Sequence, residues 1–153
     1  MPIAGIFYGT LVEADTYFSS RLHEKAWTNA DTATRQRALV AATRAIDSLN
    51  FKGAKTDASQ DLQFPRDGET TVPEDIRVAC YEIAYELLSG RNAETEVQLL
   101  AVTSQNYSSV RTTYSRDQVP LEHLINGIVS LEAWKLLKPY LRDANDITLS
   151  RVS

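Results

Sequence analysis

Apolar positions recur along the chain with a period that changes from block to block. Ile3 to Tyr8 is a short apolar run closed by Gly9, which predicts an edge strand. Ala14, Phe18 and Leu22 then recur four residues apart behind Thr10-x-x-Glu13, the pattern of a capping box, and predict a helix over 11–22. Asp31 is a good N-cap for a second helix, in which Leu39, Ala42, Ala45, Ile46 and Leu49 form the apolar face. Arg35, Arg37, Arg44 and Asp47 supply its wet face, and Gly53 lies shortly beyond its expected end near Asn50.

Residues 51–74 show no sustained period. Structureless connections of this length are uncommon in compact domains and are usually functional or packed by their own side chains. Phe51, Leu62 and Phe64 are the candidate anchors. Pro73, with Glu74 and Asp75 behind it, opens a third helix as proline and acidic residues do at a helix N-terminus. That helix carries two apolar stripes, one through Ile76, Ala79, Cys80, Ile83 and Leu87, the other through Tyr81, Tyr85 and Leu88. Two stripes need two neighbours, which the domain's own core and another subunit can supply.

Beyond Gly90 the period shifts toward two. Val97, Leu99 and Ala101, and then Val110, Thr112 and Tyr114, flank Ser104-Gln105-Asn106 and predict a β-hairpin over 96–115, although 96–102 also has helical propensity. Pro120 opens a last helical stretch through Leu121, Leu124, Ile125, Ile128, Leu131 and Trp134, which Pro139 stops, and Gly127 marks a kink or restart inside it. Ile147, Leu149 and Arg151 alternate with Thr148, Ser150 and Val152 in an extended tail over 143–153, which cannot make a sheet alone. The predicted fold is mainly α: a small helical bundle over 1–142 with a β-hairpin, followed by that tail.

Composition narrows the function classes. The chain has 153 residues, sixteen basic and twenty acidic, for a net charge of −4. A general polyanion binder is usually basic, so bulk electrostatics argue against phosphate-driven affinity. One cysteine excludes an internal disulfide framework and any cysteine-cluster zinc site. No apolar run approaches a membrane span, and the N-terminus lacks the pattern of a secretory signal, so a protein made in the cytoplasm is expected. The six glycines are scattered, with no phosphate loop, and His23 and His123 lie too far apart for a metal-binding spacing. Both histidines read as surface or helix-end residues, and Cys80 as a buried structural thiol. Glu82 and Glu86 stand one helical turn apart and read as a solvated acidic face near Arg77 and Arg91. No catalytic group, cofactor or metal site is expected.

Eleven of the sixteen basic residues are arginine, which suits interfaces better than lysine. Tyr107, Arg111, Tyr114 and Arg116 interleave aromatic and basic side chains on the predicted hairpin. Such a pattern serves a protein surface or the stacking of a single nucleic-acid strand equally well.

Ala14-Asp15-Thr16-Tyr17-Phe18, Trp27, and Ala38-Leu39 followed by Ala42-Thr43-Arg44-Ala45-Ile46-Asp47 resemble the start of phage head–tail connector (adaptor) proteins. Some members of that group are labelled DnaT-like single-stranded-DNA-binding proteins. Gln60-Asp61-Leu62-Gln63-Phe64-Pro65-Arg66 behind Gly53 is similar to the group's G…Q-x-L-x-(W/F)-P-R signature. Val72-Pro73-Glu74-Asp75-Ile76 and Leu136-Leu137-Lys138-Pro139-Tyr140-Leu141 resemble two further pieces, so the likeness runs over about residues 10–142. Phe51 and Phe64 stand where many members carry tryptophan.

The resemblance implies a mostly helical subunit of a ring, usually dodecameric, below the portal of a tailed-phage capsid, working through surfaces. Its partners would be sister copies, the portal protein, tail or neck completion proteins, and genomic duplex DNA passing without sequence-specific contact. Its place would be the virion. On this reading Gln60, Leu62, Phe64 and Arg66, with Tyr81 and Tyr85, either pack within the domain or dock on a neighbouring subunit. Tyr107, Arg111, Tyr114 and Arg116 would face the channel or the tail. Ile147, Leu149, Arg151 and Val152 would add a strand to the portal, since β-augmentation needs only backbone donors and alternate side-chain pockets. The alternative function is a single-stranded-DNA-binding replication accessory protein.

Overall fold

The computed structural model describes residues 6–106 and 122–142, with the backbone alone for 101–106. The described chain is mainly helical: α1 (Leu11–Ser19), α2 (Lys25–Thr28), α3 (Thr32–Asp47), α4 (Glu74–Leu88), α5 (Ala93–Asn106), α6 (Glu122–Ile125) and α7 (Leu131–Leu137), with a 3-10 turn at Lys138–Tyr140. Four helix starts are capped by side chains acting on their own first turn, the fourth being that of α5. Thr10 accepts from Glu13 N at 3.1 Å, Asp31 from Thr34 N at 2.7 Å, and Ser130 from Ala133 N at 3.1 Å. Each satisfies an amide that the helix itself leaves without a partner.

Helix α4 is the central element and packs against α3 and α7, with α1 and α2 along another side. Alanines at the α3 and α4 contact positions, Ala38, Ala42, Ala79 and Ala84, let the helices approach closely, while Leu39, Ile46, Ile76 and Ile83 fill the space between them. Trp134, Ala133 and Leu137 of α7 close the core, together with Ile128 and Val129. Both stripes of α4 pack within the protein's own core, with Tyr85, Leu87 and Leu88 at its end half-buried. Tyr81 is buried beside Tyr17, with ring centroids 5.6 Å apart, and Tyr85 stacks on Phe18 at 5.7 Å.

The long connection is self-packed, as its anchors suggest. Phe51 and Phe64 are buried edge to face at 4.8 Å, and Leu62 packs against the core. Single antiparallel bridges join Phe51 to Leu141 and Lys55 to Arg66. Two glycines allow close approaches. At Gly9 (φ +77°) a Cβ would sit 2.1 Å from the Tyr81 hydroxyl, and at Gly53 (φ +75°) it would sit 2.2 Å from the Asp67 carboxylate.

Several expectations are corrected. Residues 96–106 lie in the helix α5, so the predicted hairpin is absent there. Glu94, Glu96, Gln98, Leu99, Leu100 and Ala101 are strong helix formers, and Asn92 adds a cap by accepting from Thr95 N at 3.1 Å. Local propensity outweighs an alternation whose two phases are both apolar. The first helix ends at Ser19 rather than reaching Leu22, which is 78% exposed beyond the turn. The short helix α2 has no counterpart in the sequence pattern. The last stretch does restart, with Gly127 at φ +85° separating α6 from α7. Of the predicted N-terminal strand, residues 6–8 carry no strand pairing and residues 3–5 lie outside the described chain. The remainder of the hairpin (107–115) and the tail (143–153) also lie outside it.

Candidate functional site

Three arginines do the same job in three different turns. Arg21 grips Glu82 of α4 with two parallel bonds, from Nε at 2.7 Å and Nη2 at 2.9 Å. Its Nη1 donates to the carbonyls of Leu22 and His23, and the guanidinium lies 4.1 Å from the centroid of the Tyr85 ring. Tyr17 donates to the same carboxylate at 2.6 Å. Arg35 bonds the carbonyls of Trp27 and Thr28 and reaches Asp15, which also accepts from the Trp27 indole at 2.8 Å.

Arg66 engages every face of its fork. Nε donates to Lys52 O, Nη1 to both oxygens of Gln63, and Nη2 to Phe51 O and Gly53 O, at 2.7–3.4 Å. A planar guanidinium with five N–H groups can hold this many carbonyls at once, and an ammonium cannot. Gln60 completes the loop: its amide donates to Leu62 O and Pro65 O, and its Oε1 accepts from Asp57 N. Gln60, Phe64 and Arg66 are thus turned into their own loop, with Leu62 against the core.

The loop is also tied to the N-terminal segment. Tyr8 donates its hydroxyl to Asp47 at the end of α3 and accepts from Phe64 N at 3.2 Å, while Thr43 accepts from Tyr8 N at 3.1 Å. Burial raises the Asp47 carboxyl above its ordinary range, against the opposing pull of the Tyr8 hydrogen bond. A carboxyl raised on folding binds its proton more tightly in the folded chain, so its contribution to stability is greatest at low pH and is lost as pH rises through the raised value. Asp47→Asn removes that contribution. Relative to the natural chain, the variant is expected to gain stability between pH 4 and pH 7, read by urea denaturation at both.

The remaining ionisable groups fit no catalytic arrangement among the described residues. Burial pushes the Cys80 thiol up to about 12, so it stays protonated. Glu82 is buried rather than solvated, and Glu86 pairs with Arg91, which also holds Glu96 at the corner between α4 and α5. His123 is buried in α6 rather than surface-lying, and burial, with Arg91 nearby, lowers its pKa. It lines an open cleft of about 500 Å³ with Leu131, Trp134, Lys135 and Lys138. A second cleft of about 530 Å³ runs between the loop and the 3-10 turn, along Lys52, Phe64, Thr71, Pro73 and Tyr140. Among the described residues no acidic, histidine or cysteine cluster could hold a metal ion. No helix among them is long and apolar enough to cross a membrane.

The structure therefore gathers the predicted loop residues around one anchored turn, and on α4 it buries Tyr81 in the core and packs the half-buried Tyr85 against it. It does not bring these two groups together into one surface. Tyr107, Arg111, Tyr114, Arg116, Ile147, Leu149, Arg151 and Val152 lie outside the described residues. Sequence reasoning missed the Arg21–Glu82 and Tyr8–Asp47 pairs, whose partners are 61 and 39 positions apart with no local signal. The excess of arginine over lysine is the one available hint.

The profile of a family described as "Putative DnaT-like ssDNA binding protein" matches residues 7–152, and the chain belongs to that family. No curated protein and no solved structure matches it.

Proposed function

We propose that this protein is a structural head-to-tail adaptor of a tailed bacteriophage, a ring subunit that works through the surfaces it offers to sister copies, portal and tail or neck proteins. The observation that carries this reading is where the chain puts its interactive side chains. Five of the eight described arginines are engaged within the fold, and Tyr8, Phe18, Trp27, Phe51, Phe64, Tyr81 and Trp134 are all buried. A protein that grips nucleic acid as its main task displays such groups on a basic groove. Here the exposed large side chains include Ile6, Val12, Leu22, Ile125 and Leu131, set around an acidic body. Separate exposed apolar positions suit heterologous contacts, in which two different patches meet around an axis. The motif resemblance over about residues 10–142 points the same way.

The test is sedimentation of the purified chain alone and with portal protein, together with particle assembly by a chain lacking residues 143–153. Ring-sized species that bind portal, and a truncated chain that fails to join heads to tails, are expected. Infectious particles made with the truncated chain would refute the role given to the tail, and a chain that never associates with portal would refute the adaptor reading.

A second reading, a single-stranded-DNA-binding accessory protein, is favoured by the family's description. It requires salt-sensitive binding whose slope reflects several phosphate contacts, at micromolar affinity or tighter in physiological salt.

A further inference from the structure

The arginines that the fold does not use are as informative as those it does. Arg37 and Arg44 are exposed on α3, and the side chain of neither makes a hydrogen bond or ion pair with any described residue. They share a face with Ala41 and Ser48, also exposed, because positions 37, 41, 44 and 48 follow the helical repeat. Seven residues at 1.5 Å each set the two guanidinium stems about 10.5 Å apart, about three nucleotides of B-form rise.

Among the described residues, none forms an ion pair with either of them. The residues one turn from Arg37 are Ala33, Thr34, Val40 and Ala41, and the only acid one turn from Arg44 is Asp47. That carboxylate is engaged by Tyr8 and by Gln63 N, while Asp61, across the shallow cleft beside Arg44, makes no ion pair with it. Asp31 at the start of the helix feels Arg37 electrostatically but is held by Thr34. At the far end Arg142, exposed and without a side-chain partner among the described residues, hangs by its amide on Asn50 O at 2.9 Å. In a chain of net charge −4, α3 carries three arginines and one aspartate.

We propose that this face of α3 takes the phosphodiester backbone of a nucleic-acid strand, with Arg37 and Arg44 each holding one phosphate. Arginine suits the task because its fork matches two phosphate oxygens. Ala41 between them is small enough to let a backbone lie close. No aromatic side chain stands at positions 37, 41, 44 or 48, so the contact reads charge and spacing rather than bases. Two phosphate contacts give a light, salt-sensitive touch, which is compatible with a duplex sliding past a ring and with a single strand resting on a monomer. The inference goes beyond the adaptor reading and does not require a ring.

The test is an amide-shift titration of the full chain at low ionic strength with a mixed-sequence 12-mer, once single-stranded and once as duplex. Shifts are expected at Arg37, Ala41, Arg44 and Ser48. Log K should fall against log salt with a slope of about −1.4 for the single strand or −1.8 for the duplex, as two neutralised phosphates require. The comparison of the two probes shows which form is preferred. R37E/R44E is expected to weaken binding more than tenfold with an unchanged thermal midpoint, both side chains being exposed. K135E/K138E, the same charge change on α7 and the 3-10 turn that follows it, should leave binding within twofold. Equal loss in the two variants would mean bulk charge and overturn the proposal, as would shifts that avoid α3. Self-association lost in R37E/R44E with no oligonucleotide shift in the natural chain would assign the face to a protein partner and also overturn it. Sedimentation with portal reads the adaptor role separately, so either proposal can fail without the other.

Discussion

Arg21→Met is expected to lower the unfolding free energy by about 3 kcal/mol, although the guanidinium is itself partly exposed. The reason lies in the residue left behind. The Glu82 side chain is only 5% exposed, and without the guanidinium it keeps a single donor, the Tyr17 hydroxyl. A buried carboxylate stripped of its counter-charge is far costlier than the pair was favourable. The carbonyls of Leu22 and His23 lose their donor as well, and the Tyr85 ring loses its cation. The companion variant Arg21→Met/Glu82→Leu removes both charges and should recover most of the loss. A double-mutant cycle in urea would give the coupling directly. If the double variant is as unstable as Arg21→Met alone, the cost belongs to lost packing or to the freed carbonyls, and the electrostatic account is wrong.

Arg66→Lys should be nearly as damaging, at about 2–4 kcal/mol, although it preserves the charge. Lysine's compact ammonium cannot reach Lys52 O, Gln63, Phe51 O and Gly53 O together, so several carbonyls of the turn lose their donor. The loss should appear as a lower urea midpoint, with exchange of the Thr56 and Asp67 amides accelerated, since those bond Pro65 O and Ala54 O across the same turn. A variant that keeps full stability but no longer assembles would instead mean that Arg66 serves a neighbouring subunit.

These two residues show how far the sequence can be read. Helices α1 and α3 announce themselves through caps and apolar spacing, α4 through Pro73 with its acidic first turn, and α7 through apolar spacing ahead of Pro139, because all of these are written within a few neighbouring positions. The anchors Phe51 and Phe64 are legible for a related reason: aromatic residues in an aperiodic stretch must be buried somewhere. Helix α5 is misread from its pattern, since Leu99 and Leu100 make both phases of the alternation apolar and periodicity then cannot separate strand from helix. Arg21 is not legible at all. Its carboxylate partner lies 61 positions away, and Glu82 looks like half of a solvated pair until the fold turns it inward. Of the candidate site, the loop residues stand out as a group, but whether they face inward or outward depends on how many carbonyls Arg66 meets. Arg37 and Arg44 show in the sequence only as the wet side of a helix, because what sets them apart is the lack of side-chain partners among the described residues, and partners are a property of the folded chain.

The choice of guanidinium for these three turns has one more consequence. Arginine does not give up its proton in any ordinary buffer, and burial and the Glu82 contact raise the Tyr17 phenol above its usual range. The Glu82 hydrogen bond raises Arg21 further, so this fastening persists into alkaline solution, where a lysine clasp would already be letting go.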